Sequence, residues 1–231
     1  MFLTDVVDIL KRKKKKFIAS RLYAITDFKR WSEDELTRIK EACRGGADII
    51  QLRSKTLDRD ILIETGKAIR DVTAEEGVLF IVNDDPEIAL AVGADGVHLG
   101  QDDRPISAAR KIFGKKHLLI GKSTHSVEQA IAAEKEGADY IGIGPIFSTP
   151  TKLRYGAVGL QLIKEVKNVV RIPTVAIGGI DASRIPSVIK AGADRVAVVR
   201  AVFGASDVYE AAKKLKEEIL RFAQDDTMMS F

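Results

Sequence analysis

Gln51, Arg53 and Lys55 stand at alternate positions at and just after a short apolar run that begins at Ile49. In an extended segment alternate side chains share a face, and two cations beside an amide suit an oxyanion of high charge. Asn83-Asp84-Asp85-Pro86 and Gly100-Gln101-Asp102-Asp103 follow two further apolar runs. One carboxylate from each cluster would serve Mg²⁺, which takes one or two protein carboxylates and completes its shell with water and substrate phosphate. Asp85 and either Asp102 or Asp103 are equally placed to cap the helices that follow by accepting their free N–H groups. One aspartate of each cluster on the metal satisfies both readings. The segment from Gly144 to Lys152 carries three hydroxyls, on Ser148, Thr149 and Thr151, and ends on a lysine, as a loop closing over an anionic ligand would. Gly178-Gly179 and Val199-Arg200 each follow another apolar run, and backbone amides exposed there, near a helix start, accept phosphate. The residues thus sort into a metal-assisted anion site and a second, glycine-based one.

Other chemistries are not indicated. No Ser-His-Asp or Cys-His arrangement is evident, so covalent nucleophilic catalysis has no carrier. His98 lies inside an apolar run and reads as a hydrogen-bonded core residue, and neither His117 nor His125 is given a catalytic role. The single cysteine, Cys43, reads as core packing; it excludes an internal disulfide framework and a multi-cysteine zinc site, and it favours a reducing compartment, with the cytoplasm as the expectation.

For these groups to meet, the chain must bring eight segment ends to one place. Gly-Ala-Asp recurs at 46–48, 93–95, 137–139 and 192–194. Each copy follows a helix-like stretch and precedes an apolar run: 49–52, 96–99, 140–143 and 195–198. Further strand-like runs at 22–25, 78–82, 118–120 and 174–177 make eight. Between them lie helical patterns, two opened by capping boxes at Ser32 with Glu35 and Ser126 with Gln129, and others near 59–74, 87–92, 106–113, 160–166, 182–191 and 207–222. Strands alternating with helices imply parallel pairing, and eight units in about 200 residues fit a closed (β/α)8 barrel of the TIM type better than an open doubly wound sheet, which lacks its Gly-x-Gly-x-x-Gly turn here. In such a barrel the catalytic groups sit at the C-terminal strand ends.

The 231 residues therefore read as one α/β domain at 21–222, flanked by a basic N-terminal extension at 1–20 and a C-terminal tail at 223–231. The chain is 45% hydrophobic and 30% charged, which excludes disorder, and it has no apolar run long enough to span a bilayer. Lys11–Lys16 is an unbroken block of six cations, and removing it from the net charge of +4 leaves −2, so the basic pI belongs to a short arm. The arm reads as a solvated extension; contact with nucleic acid or anionic lipid is the alternative.

Five motifs occurring in order resemble the thiamine-phosphate synthase family: Gln51-Leu52-Arg53-Ser54-Lys55, Asn83-Asp84, Gly100-Gln101-Asp102-Asp103, Gly144 through Lys152, and Ile177-Gly178-Gly179-Ile180. The likeness runs from about Leu22 to Phe222. It implies a transferase that joins 4-amino-2-methyl-5-(diphosphooxymethyl)pyrimidine to a thiazole phosphate, giving thiamine phosphate and pyrophosphate. It also implies a substrate-binding set of Gln51, Leu52, Arg53, Ser54, Lys55, Asn83, Ser123, Thr149, Pro150, Thr151, Lys152, Gly178, Gly179, Val199 and Arg200. Within that set Arg53, Lys55, Ser123 and Lys152 are the catalytic residues, and Asp84 and Asp103 hold Mg²⁺. The partners expected are two phosphorylated small molecules, not nucleic acid or membrane, with room left for a homo-oligomer.

The chain departs from the family pattern at Arg200, at Lys122 before Ser123, and at Leu153-Arg154-Tyr155-Gly156. A related branch of thiazole tautomerases and regulator-like barrels shares parts of these motifs but generally lacks the Thr-x-Thr-Lys loop present here.

Overall fold

The structure is a computed structural model and describes residues 3–149 and 156–228. Eight strands, β1 Leu22–Ile25, β2 Ile49–Leu52, β3 Leu79–Asn83, β4 Gly96–Leu99, β5 Leu119–Thr124, β6 Tyr140–Ile143, β7 Thr174–Ile177 and β8 Val196–Val198, close into a barrel in sequence order. Every neighbouring pair is parallel, including β1 with β8. The helices are α1 Leu3–Ala19, α2 Glu33–Arg44, α3 Arg59–Glu75, α4 Pro86–Ala91, α5 Ile106–Phe113, α6 Val127–Lys135, α7 Gln161–Val169, α8 Ile185–Lys190, α9 Arg200–Phe203 and α10 Val208–Met228. Ser32 and Ser126 cap α2 and α6 through the N–H groups of Glu35 and Gln129, as their spacing predicts.

Strand alternation divides the apolar residues between two cores. Ala24, Ile50, Leu52, Phe80, Val82, Val97 and Ile120 point outward against the helices. Tyr23, Ile25, Ile49, Leu79, Ile81, Leu119, Tyr140, Val175 and Ala197 point into the barrel. No helix among the described residues is long and apolar enough to cross a membrane.

The Gly-Ala-Asp repeat proves to be a device for joining helix to strand at the N-terminal end of the barrel. Gly46, Gly93, Gly137 and Gly192 all have positive φ. The following alanines are buried, and their N–H groups reach back to Ala42, Ala89, Ala133 and Val188, which closes the helix ends. Three of the aspartates then tie the next strand start to the previous strand. Asp48 accepts from the N–H groups of Arg21 and Leu22, Asp95 from Phe80, and Asp139 from Ile120, at 2.7 to 3.0 Å. The fourth, Asp194, binds Lys167 of α7 instead. At Gly137 (φ +88°) an added Cβ would touch nothing within 4 Å, so Gly137→Ala isolates the backbone strain. It is expected to cost about 1–2 kcal/mol, because an L-residue resists the left-handed region. Thermal unfolding should accordingly begin roughly 2–8 °C lower, with activity unchanged below the transition.

Three segments differ from the sequence reading. The basic extension is not simply solvated: it forms α1, whose Phe17 is 2% exposed and stacks on Tyr140 at a centroid distance of 4.2 Å, closing the barrel floor. Lys13 and Lys14 pair with Asp95 and Asp139 of the repeat at 3.2 and 2.8 Å. An amphipathic helix with a large ring to bury gains more from that floor than from water. The tail is not separate from the last helix, since α10 continues to Met228. Finally, β5 runs on through Thr124, so Lys122 and Ser123 are strand residues, buried with alternating directions.

Candidate active site

The C-terminal ends of the strands surround a cavity of about 310 Å³. Its wall includes Gln51, Arg53, Asn83, Ser123, Thr149, Gly178, Gly179, Val199 and Arg200, drawn from six strand ends as the barrel requires. Tyr23, His98 and Tyr140 also line it, at the level of the barrel interior.

On the β2 to β4 side the polar groups are mutually fixed. Gln51 is buried and donates through Nε2 to Asn83 Oδ1 at 2.7 Å. Arg53 is ion-paired with Asp27, in the turn after β1, and its own main chain exchanges two 2.9 Å hydrogen bonds with Thr26 Oγ1. Lys55 Nζ lies 3.0 Å from Asp84 Oδ2. Asp84 takes a positive φ of 66°, a conformation that short polar side chains tolerate, and this swings it out of the line of β3. Asp103 accepts from the Gly100 N–H at 2.6 Å. Burial raises the Asp103 carboxyl above the usual range, helped by a hydrogen bond with Asp84 and by its like charge, against the Gly100 N–H and Lys55.

A carboxyl whose charged form is disfavoured beside a second carboxylate is what a hard cation would relieve, so the pair fits a divalent ion such as Mg²⁺. Among the described residues no three His, Cys, Asp or Glu side chains cluster to hold a metal, so the remaining positions of any such shell fall to water and substrate oxygens. The capping alternative is realised at Asp85, as the sequence places it, but not at Asp102 or Asp103, since α5 starts after Pro105 with no side-chain cap. Asp85 caps α4, accepting from the N–H groups of Glu87 and Ile88, which leaves Asp84 for the site. Lys122, the unexpected residue before Ser123, donates to the Gly100 carbonyl at 2.6 Å, so both polar atoms of the Gly100 backbone are held and Asp103 is set in place.

The opposite side is built from backbone. The segment after β6 lies along the segment after β7, with Ile146 N–H on Ile177 O at 2.8 Å and Phe147 N–H on Gly178 O at 3.0 Å. A Cβ on Gly178 (φ +102°) would stand 2.5 Å from Pro145 Cα, and one on Gly179 (φ +63°) would stand 2.8 Å from Ser148 O. Only glycine allows this approach. Next to it, Val199 opens the short helix α9, whose first residues Arg200 and Ala201 line the cavity. The early N–H groups of a helix turned towards a cavity are the usual phosphate ligands of this fold. Arg184, which the sequence reading passed over, lines the same side, donates to Gly179 O and lies over the Phe147 ring at 4.7 Å.

Among the described residues, Lys55, Asp84 and Asp103 form their own cluster outside the cavity wall, and two further expected residues, Leu52 and Ser54, turn elsewhere. Leu52 is 1% exposed in the helix-facing core, because it alternates with Gln51 in β2 and Arg53 just after it. Ser54 spends its hydroxyl on the loop after β2, donating to Phe28 O at 2.7 Å and accepting from the N–H groups of Thr56 and Leu57. Both are corrections to the substrate-binding set. Pro150, Thr151 and Lys152 lie outside the described residues. His98 was missed as a site residue although a signal existed: in the run Gly96-Val97-His98-Leu99 it occupies the inward alternation opposite two outward aliphatics.

Fold and cavity together define a (β/α)8-barrel protein with a cavity at the C-terminal mouth, one end lined by side chains and the other by backbone. The profile of the thiamine monophosphate synthase family matches residues 22–202. The thiamine-phosphate synthase of Pyrococcus horikoshii is 46% identical over 203 residues, covering 87% of this chain and 96% of that one. That of Moorella thermoacetica is 46% identical over 187 residues, 80% and 89% of the two chains. The solved structure of thiamine phosphate pyrophosphorylase from Pyrococcus furiosus superposes with a TM-score of 0.81 at 40% identity, over 90% of this chain and 98% of that one. The chain belongs to the thiamine monophosphate synthase family.

Proposed function

We propose that this protein is a transferase that joins the pyrimidine diphosphate to a thiazole phosphate, forming thiamine phosphate and releasing pyrophosphate. The observation that carries the reading is the two-ended cavity. Gln51, Arg53 and Asn83 line one end, next in the chain to the cluster of Lys55, Asp84 and Asp103, and the Gly178-Gly179 turn with the start of α9 lines the other. Two anionic substrates held at opposite ends bring their uncharged rings together between them, which favours a bimolecular step by orientation.

Asp84 and Asp103 would hold Mg²⁺, which when bound neutralises charge developing on the leaving pyrophosphate. Arg53 and Lys55 supply fixed positive charge at the same place, as Lys152 does in this reading, and an electrostatic contribution of that kind acts where charge appears in the transition state. Gln51 and Asn83 hold the diphosphate-bearing pyrimidine, and Ser123 contacts it beside His98. The electron-rich aminopyrimidine stabilises the benzyl-like cation left behind, and the thiazole nitrogen captures it. Thr149, Thr151, Gly178, Gly179 and the backbone at Val199-Arg200 retain the thiazole phosphate. No side-chain nucleophile is required, in keeping with the absence of one in the sequence. The protein is assigned to the cytoplasm, its partners being these two small molecules.

The purified protein, given both phosphorylated substrates and Mg²⁺, is expected to release pyrophosphate and thiamine phosphate in equal amounts, and to stop when EDTA is in excess. Isomerisation of the thiazole without pyrophosphate release would replace the synthase reading with a tautomerase.

A further inference from the structure

Four side chains form a line through the barrel interior up to the cavity. Tyr23 Oη lies 3.1 Å from Tyr140 Oη, Tyr140 Oη lies 3.2 Å from His98 Nδ1, and His98 Nε2 lies 3.0 Å from Ser123 Oγ. They come from β1, β6, β4 and β5. Gly121 of β5 leaves room for the central contact: a Cβ there would stand 2.2 Å from Tyr140 Cζ and 2.5 Å from His98 Nδ1.

Each group in the line can donate or accept, so distances alone leave the proton direction open. The far end decides it. Tyr23 is 2% exposed, packs with Ile49, Leu79, Val175 and Ala197, and among the described residues its hydroxyl has Tyr140 as its hydrogen-bond partner. If Ser123 donated to His98, and the line ran on from Tyr140 to Tyr23, the Tyr23 hydrogen would have no protein acceptor there. A buried donor left unmade is costly, whereas the opposite direction satisfies every hydrogen in turn. Burial raises both phenols above their ordinary range, so both keep their protons.

We propose that Tyr23 donates to Tyr140 and Tyr140 to His98 Nδ1, which fixes His98 as the neutral Nε2–H tautomer and leaves Ser123 to donate its own hydrogen into the cavity. Ser123 is then a committed donor to an acceptor on the substrate, a ring nitrogen or a phosphate oxygen. It is not a base, and His98 is a positioning residue. The substrate's identity rests on the synthase reading, but the direction of the line does not.

Nitrogen-15 histidine labelling reads the tautomer directly in the unliganded protein, with the His98 signal assigned by its loss in His98→Gln. The expected result is a single Nε2–H tautomer in the wild type and a mixture of both tautomers in Tyr140→Phe, which removes the donor to Nδ1. An Nδ1–H tautomer in the wild type overturns the proposal, and so does a Tyr140→Phe variant whose tautomer stays fixed. If that variant fails to fold, the wild-type spectrum still decides. In turnover, Tyr140→Phe is expected to lower kcat/KM about tenfold in the wild-type background and hardly at all in Ser123→Ala, since the tyrosine acts through the serine. Additive losses would mean that Tyr140 acts elsewhere. An inactive protein with the expected tautomer would refute the synthase reading and leave this inference standing.

Discussion

Asp84→Ala and Asp103→Ala are each expected to lower the rate of Mg²⁺-dependent pyrophosphate release by about 10²–10³-fold. Charge neutralisation on a leaving group by a correctly held cation is worth ~3–4 kcal/mol, and each 1.36 kcal/mol is a factor of ten. The structure allows a sharper version, because Asp103 also binds the Gly100 N–H at 2.6 Å. Asp103→Asn keeps an oxygen to accept that bond and removes only the charge. If Asp103 served merely to shape its loop, this variant would turn over like the wild type, and the metal assignment would fall.

Stability gives a second reading of the same residue. The Asp103 carboxyl is raised in the folded protein, so the folded state holds its proton more strongly than the unfolded chain. The metal-free fold therefore loses stability as pH rises through that range, and at neutral pH the ionised group is unfavourable. Asp103→Asn without metal should unfold no earlier than wild type, separating lost catalysis from lost folding. Asp85→Ala is the contrasting case. It removes the cap of α4, at about 1 kcal/mol, and should leave the Mg²⁺ requirement intact.

Phe17→Ala should be the most damaging of these changes to the fold, at ~3–5 kcal/mol, the usual loss when a buried phenylalanine is truncated. Its ring is 2% exposed and stacks on Tyr140 at 4.2 Å, and its carbonyl accepts from Ser20 Oγ at 2.6 Å and Arg195 Nε at 3.0 Å. The helix thus docks through Phe17, with Leu10 also packed against the barrel-interior core, and through the Phe17 carbonyl. Its charges matter less: Lys14 is 48% exposed at its pair with Asp139, and an exposed pair contributes about 1 kcal/mol at most. Differential scanning calorimetry should therefore show a fall of roughly 10 °C or more for Phe17→Ala and only a few degrees for Lys14→Ala. Equal falls would mean that the helix is held by charge. The sequence by itself reads residues 1–20 as a solvated extension. With Phe17 on the barrel floor beneath Tyr140, removing the segment is instead expected to reduce activity through lost folding.

Much of this site could be read from order and spacing alone. Alternation placed Gln51 and Arg53 on one face of β2, and adjacent aspartates after β3 and β4 announced two carboxylates. The glycine pair Gly178-Gly179 after β7 marked a close backbone approach; these signals are local and each residue type has few uses in its position. The four Gly-Ala-Asp copies fixed the period of the barrel, since only a repeated helix-to-strand joint needs that tripeptide. What the sequence could not rank was the choice among neighbours. It named Asp85 as a cap, but it did not say that neither Asp102 nor Asp103 caps α5, that Leu52 and Ser54 face away from the cavity, or that Lys122 fastens the Gly100 loop. Nor did it reveal the line from Tyr23 through Tyr140 and His98 to Ser123, or the seat of Phe17 under Tyr140. Those residues lie far apart in the chain, and no local pattern records a contact made only when the barrel closes. Closure brings inward positions of different strands within hydrogen-bond reach, and burial then determines which of them must share a proton.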